Sequence, residues 1–221
     1  NYLEELIRER GRLPFDVFMS EVLNHPDYGY YSTDADRIGA QGDFYTASDL
    51  DPAMGQLLVG LFDHMAAQVE SFTLVEIGVG KGLLARHILE HRPFPYVIVE
   101  RSMAMKARQQ QVLEGYKVEW RDRLPDGLHG CIFSNEFFDA LPVRRFVRRA
   151  GKLREVFVGE GFSEIEADPE VSLDLPLWEE GQAVEVSLEA REWIRRIAGA
   201  LDRGYHLVID YGDLRRELFS R

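Results

Sequence analysis

The chain has 221 residues, 45% of them hydrophobic, and a formal net charge of −12. That length fits one domain, or one domain with an insertion, around an ordinary globular core. So acidic a balance argues against general binding to nucleic acid or to an anionic membrane, and the single cysteine, Cys131, excludes a disulfide within the chain.

No apolar run approaches the length of a membrane span. The sequence begins at Asn1 rather than Met, so a targeting peptide would be invisible in it. Lysine occurs only at 81, 106, 117 and 152, with arginine supplying the other basic residues. That bias reads as the codon usage of a GC-rich genome and points to a bacterial source, for which a cytoplasmic location is expected. The histidines show no ligand spacing, and no metal is expected.

Residues 1–10 read as a short amphipathic helix with Leu3, Leu6 and Ile7 on one face. A second helix is expected over 14–23, carrying Phe15, Phe18, Met19, Val22 and Leu23, and Asn24-His25-Pro26 stops it. A long stretch rich in Tyr, Gly and Asp follows, with no period. Loops of that length in compact domains are usually functional. Residues 54–67 then read as a helix burying Leu57, Leu58, Leu61, Phe62 and Met65.

Residues 73–82 read TLVEIGVGKG, followed by LLARHILEH. This is strand, tight turn and helix, with glycines at 78, 80 and 82. A dinucleotide fingerprint would be G-x-G-x-x-G with an acid about 20 residues later. Here the spacing is G-x-G-x-G and an acid, Glu76, comes before the first glycine. Glu-x-Gly-x-Gly-x-Gly is the pattern of S-adenosyl-L-methionine methyltransferases. That ligand presents a sulfonium, an α-amino group and a ribose rather than a pyrophosphate, so a carboxylate ahead of the turn is sensible. The alternative is a turn whose glycines serve packing alone.

Further strands are expected at 96–99, 118–120 and 131–134, with a helix over 102–113. This β-α-β-α-β order implies a parallel, doubly wound sheet with ligand groups at the carboxyl ends of its strands. Those ends carry Glu76, Glu100, Asp122, Asn135 and Glu136. Glu100 could accept from both ribose hydroxyls, a bidentate task for a carboxylate. Asp122 could accept from the adenine amino group, or pair with Arg121 and Arg123. Residues 143–147, 152–158 and 162–166 alternate like an inserted antiparallel meander. A Pro-containing loop over 168–181 leads to a helix within 183–201 that includes Val186, Leu188, Trp193, Ile194 and Ile197. A fifth core strand follows at 207–210. A methyltransferase sheet normally continues further, so the C-terminal part of the fold is expected to be missing.

The second motif is SNEFFDALPV at 134–143. Its carboxylates Glu136 and Asp139, with the amide of Asn135, would stand beside the methyl donor. Paired carboxylates can grip a guanidinium, which is planar and always charged. The alternative is that the acids cap a turn while Phe137, Phe138 and Leu141 fill core.

Taken with FDVFMSEVLNHPDYGYY, the GDFYTAS segment at 42–48 and VIDYG at 208–212, these motifs resemble the MidA-like methyltransferases. That family includes a mitochondrial arginine methyltransferase needed for respiratory complex I assembly. The resemblance implies a Rossmann-like class I fold using S-adenosyl-L-methionine, with an arginine-containing protein as acceptor and a complex I subunit as a candidate. It implies a matrix location for a eukaryotic member. Gly42, Asp43, Phe44 and Thr46 would close over the cofactor, Glu76, Gly78 and Gly80 would border its amino-acid portion, and Glu100 would hold its ribose. Asn135, Glu136 and Asp139 would line the acceptor side. The expected organisation is N-terminal helices and covering loop over 1–68, cofactor core over 69–142, β insertion over 143–181, and return helix with fifth strand over 182–221. Two other functions fit the same sequence: an assembly factor that binds a partner through the β insertion, and a small-molecule methyltransferase.

Overall fold

The computed structural model describes residues 1–30, 52–173, 175 and 179–213. They fall into two compact units. Of the described residues, one contains those of 52–140 and 193–211; the other contains those of 1–30, 141–192 and 212–213.

In chain order the elements are α1 (Tyr2–Arg10), β1 (Leu13–Pro14), α2 (Phe15–Asn24), α3 (Ala53–Ala66), β2 (Thr73–Ile77), α4 (Leu83–His91), β3 (Tyr96–Val99), α5 (Met103–Val112), β4 (Val118–Arg121) and β5 (Leu128–Asn135). There follow β6 (Arg144–Arg149), β7 (Lys152–Val158), β8 (Glu164–Ala167), β9 (Ala183–Val186), α6 (Leu188–Ala200) and β10 (Leu201–Ile209).

The first unit is an α/β sheet of five strands in the order β10-β5-β2-β3-β4, every neighbouring pair parallel. From β2 the chain winds outward through β3 and β4, then returns to the other side with β5 and β10. The direction therefore switches between β2 and β5, where open α/β sheets hold their ligands. The central strands are apolar runs because both their faces are covered. Leu74, Ile98 and Phe133 pack with Leu58, Phe62 and Ile88 from α3 and α4. Val75, Ile77 and Ile132 pack on the opposite face with Ile197 and Ala200 of α6. Cys131 is buried and free, and burial pushes its thiol up to about 12.

At the amino ends of these strands, Thr73, Gly130 and Gly204 share one row of the register. A Cβ on Gly130 would overlap the Thr73 carbonyl, and one on Gly204 would overlap that of Gly130. Only glycine permits so close an approach.

The second unit is antiparallel, in the order β1-β7-β6-β9, with β8 also on β7. Helices α1 and α2 belong to this unit rather than to the parallel sheet. Alongside buried apolar residues such as Leu13, Phe146 and Phe157 the unit buries an ion cluster. Arg144 donates to Asp16 at 3.0 Å and to Glu155 at 2.9 Å, and Glu155 also accepts from the Glu170 N–H at 2.8 Å.

Some expectations need correction. Val186 is not helical: Ala-Val-Glu-Val has period two and pairs with β6, and the helix begins only at Leu188, where the Ser187 hydroxyl accepts from the Ala190 N–H. On α3, Leu57 is 77% and Leu61 39% exposed, whereas Leu58, Phe62 and Met65 are buried. The buried stripe steps by four and three residues, and Leu57 and Leu61 lie one position round the helix from it. Ile194 is likewise exposed. Phe162 sits in a 3-10 turn ahead of β8.

Candidate cofactor and acceptor site

The glycine turn leaves β2 at the switch point. Gly78, Gly80 and Gly82 have φ of 70°, 54° and 90°. A Cβ on Gly78 would stand 2.6 Å from the Phe137 ring, so glycine lets the turn close on the segment after β5. A Cβ on Gly80 would meet nothing within 4 Å, so that side of the turn is open.

Glu100 follows β3, and its half-buried carboxylate is held at both oxygens. Oε1 accepts from the Ser102 N–H at 2.7 Å and Oε2 from the Gln109 amide at 3.1 Å. An ionised carboxylate has about four lone-pair positions, so each oxygen retains accepting capacity. Gln109 also donates to the Gly80 carbonyl at 2.9 Å and accepts from the Trp120 indole at 3.1 Å. It is fully buried on α5. Apolar periodicity could not reveal it. The signal available was its place between Met105 and Leu113, four residues from each on one helix face.

Asp122 follows β4 and lines an open depression with Lys106, Trp120, Leu124 and Pro125. The neighbouring Arg121 pairs with Glu119 at 2.7 Å. Glu76 points into the interior and is 2% exposed. The Tyr96 hydroxyl donates to it at 2.6 Å. Burial pushes its carboxyl up to about 8, against a smaller lowering by that hydrogen bond.

After β5 the chain turns sharply. Glu136 adopts φ 49°, a left-handed conformation that costs a non-glycine residue about 1–2 kcal/mol. Its N–H donates to the Ile209 carbonyl at 2.8 Å, and the Phe138 N–H donates to Asp210 at 2.8 Å. Phe137 packs edge-on against Trp193. The Asp139 carboxyl is raised above its ordinary range, first by burial and then by Asp210. Asp210, which the sequence analysis does not single out, also follows the carboxyl end of a parallel strand. Ser134 is buried, and its hydroxyl has no partner among the described residues.

Asn135 thus ends β5 with Glu136 and Asp139 in the segment that follows, Gly78 meets that segment through Phe137, and Gly80 and Glu100 are joined through Gln109. Asp122 stands farther out, at the edge strand β4. Gly42, Asp43, Phe44 and Thr46 lie outside the described residues.

Residues 53–221 match a family described as S-adenosyl-L-methionine-dependent methyltransferases. A mitochondrial protein of Drosophila melanogaster, named a protein arginine methyltransferase NDUFAF7 homolog, is 30% identical over 95% of this chain and 59% of its own length. The Homo sapiens protein arginine methyltransferase NDUFAF7 is 30% identical over 75% of this chain and 44% of its own length. A crystal structure of a methyl transferase candidate from Burkholderia thailandensis, bound to S-adenosyl-homocysteine, superposes with a TM-score of 0.85 at 28% identity. It matches 100% of this chain and 64% of that one. The chain spans about three fifths of the length of the first curated relatives it matches.

Proposed function

The chain belongs to this family of S-adenosyl-L-methionine-dependent methyltransferases, and on that premise we propose that it methylates an arginine side chain of a protein. The observation that carries the reading is Glu100, fixed at both oxygens and joined through Gln109 to the glycine turn, with accepting capacity left for the paired hydroxyls of a ribose. The open side of Gly80 leaves room for a ligand against the backbone, and Asp122 offers an acceptor to the adenine amino group. Glu76, buried two residues before the turn, would be drawn toward its ionised form by a neighbouring ammonium.

S-adenosyl-L-methionine supplies an electrophilic methyl carbon when bound. Glu136 and Asp139, with Asn135, hold the guanidinium by charge and planarity, and so align one of its nitrogens. Asp139, its carboxyl raised by burial and by Asp210, is suited to take the proton which that nitrogen sheds. By the MidA-like resemblance the target is a subunit of respiratory complex I or its bacterial counterpart.

Calorimetric titration with S-adenosylhomocysteine tests the site. Wild type binds, and Glu100→Ala weakens binding about a hundredfold through the loss of two charge-assisted hydrogen bonds. A folded wild type that does not bind rejects the reading; equal affinity in the variant rejects the ribose assignment. Incubation with labelled S-adenosyl-L-methionine and cell extract, read by mass spectrometry, places label on a protein arginine. Label confined to a small metabolite rejects the acceptor.

A further inference from the structure

We propose that Gln109 is a positioning residue of the cofactor site, one that fixes the rotamer of Glu100 and ties it to the glycine turn and to Trp120. This rests on the reading of Glu100 as the ribose ligand.

The hydrogen-bond chemistry leaves Gln109 one orientation. The Trp120 indole N–H can only donate, so the amide oxygen of Gln109 must face it. Both amide hydrogens are then directed elsewhere, to the Gly80 carbonyl and the Glu100 carboxylate. No other side chain of this size combines one acceptor with two donors in that arrangement. Glutamate lacks the donors when ionised, and leucine lacks everything. The site is also fully buried, where an unpaired polar group is costly.

The consequence for Glu100 is pre-organisation. A glutamate at the end of a strand ordinarily samples several rotamers and must be ordered when a ligand arrives. Held by the Ser102 N–H on one oxygen and by Gln109 on the other, this one is ordered beforehand. The same amide touches the turn after β2, the carboxylate after β3 and the indole of β4. The first two are assigned to the amino-acid and ribose portions of the cofactor, and the indole lines the depression that holds Asp122, assigned to the adenine. Gln109 therefore coordinates all three while being closed off from solvent itself.

The test is titration with S-adenosylhomocysteine. Gln109→Leu is expected to lose affinity about tenfold or more, by the loss of a hydrogen bond to a charged group. Gln110→Leu, on the exposed side of the same helix, keeps wild-type affinity. Gln109→Glu supplies a readout that a purely structural role would not move. Ionised, the new carboxyl opposes Glu100 and cannot donate; protonated, it donates to Glu100 and still accepts from Trp120. Its affinity should rise as pH is lowered from about 8 to 6, relative to wild type at each pH. Unchanged binding by a folded Gln109→Leu, or a pH-independent deficit in Gln109→Glu, overturns the proposal. Should Gln109→Leu fail to fold, the pH series on Gln109→Glu decides alone. Failure of wild type to bind overturns the cofactor reading itself, which is a separate result.

Discussion

The parallel and antiparallel sheets each bury one glutamate, and they treat it differently. In the antiparallel unit Glu155 meets the Arg144 guanidinium at 2.9 Å and the Glu170 N–H at 2.8 Å, while Arg144 also holds Asp16. Burial raises the Glu155 carboxyl, and these two partners pull it back. In the parallel unit Glu76 has the Tyr96 hydroxyl, and no cation within ion-pair reach among the described residues, so burial acts on it almost unopposed. The first carboxylate is completed by the fold alone. The second is completed only by a proton or by a cation from elsewhere. A buried acid thus marks architecture or a ligand site according to whether its own unit supplies the counter-charge.

The contrast can be broken most forcefully at Glu155. Glu155→Ala leaves Arg144, which is largely buried, with Asp16 alone, and should cost about 3–5 kcal/mol by denaturant unfolding. A loss under about 1 kcal/mol would mean that the pair is not structural. At Glu76 the expected effect depends on pH. Its folded pKa, about 8, lies above the ordinary glutamate value of 4.5. Folded protein therefore keeps a proton that unfolded protein releases, and this contribution to stability is full below about pH 4.5 and is lost as pH rises through 8. Glu76→Gln keeps the shape and escapes that loss. It should gain about 2–4 kcal/mol over wild type at pH 8, with the gap narrowing toward pH 5. Melting curves running parallel across that range would contradict an uncompensated Glu76. The smallest change in stability belongs to Glu136→Gly. Relief of the left-handed backbone and the entropy of glycine nearly cancel, leaving stability within about 1 kcal/mol. Methyl transfer to protein should nonetheless fall at least about tenfold, for loss of a charge-assisted contact. Undiminished transfer would make Glu136 architectural, like Glu155.

The parallel sheet was legible because β2, β3 and β5 are contiguous apolar runs ending in polar residues, and a strand end is where a ligand group belongs. Glu100 and Glu136 could be named for that reason. Their supports could not. Gln109 is a polar residue on a buried helix face, and Asp210 meets the Phe138 N–H from 72 positions away. Strand β9 reads as helix from sequence because Val186, seven residues before Trp193 and eleven before Ile197, falls on the same helical spacing across the boundary that Ser187 sets. Strand β1 consists of two residues whose pairing with β7 no local pattern announces.

The glycine row at the far end of the sheet acts as a keyway. Thr73, Gly130 and Gly204 lie level, and four residues further along the same strands Ile77, Ser134 and Val208 lie level again. Sliding β5 or β10 by one position would drive a side chain into a neighbouring carbonyl, so the sheet can lock in a single alignment. Tolerances in the site are thus set at the opposite edge of the sheet. An alanine at Gly130 or Gly204 would shift the glycine turn and the Asn135–Glu136 corner out of step without touching either.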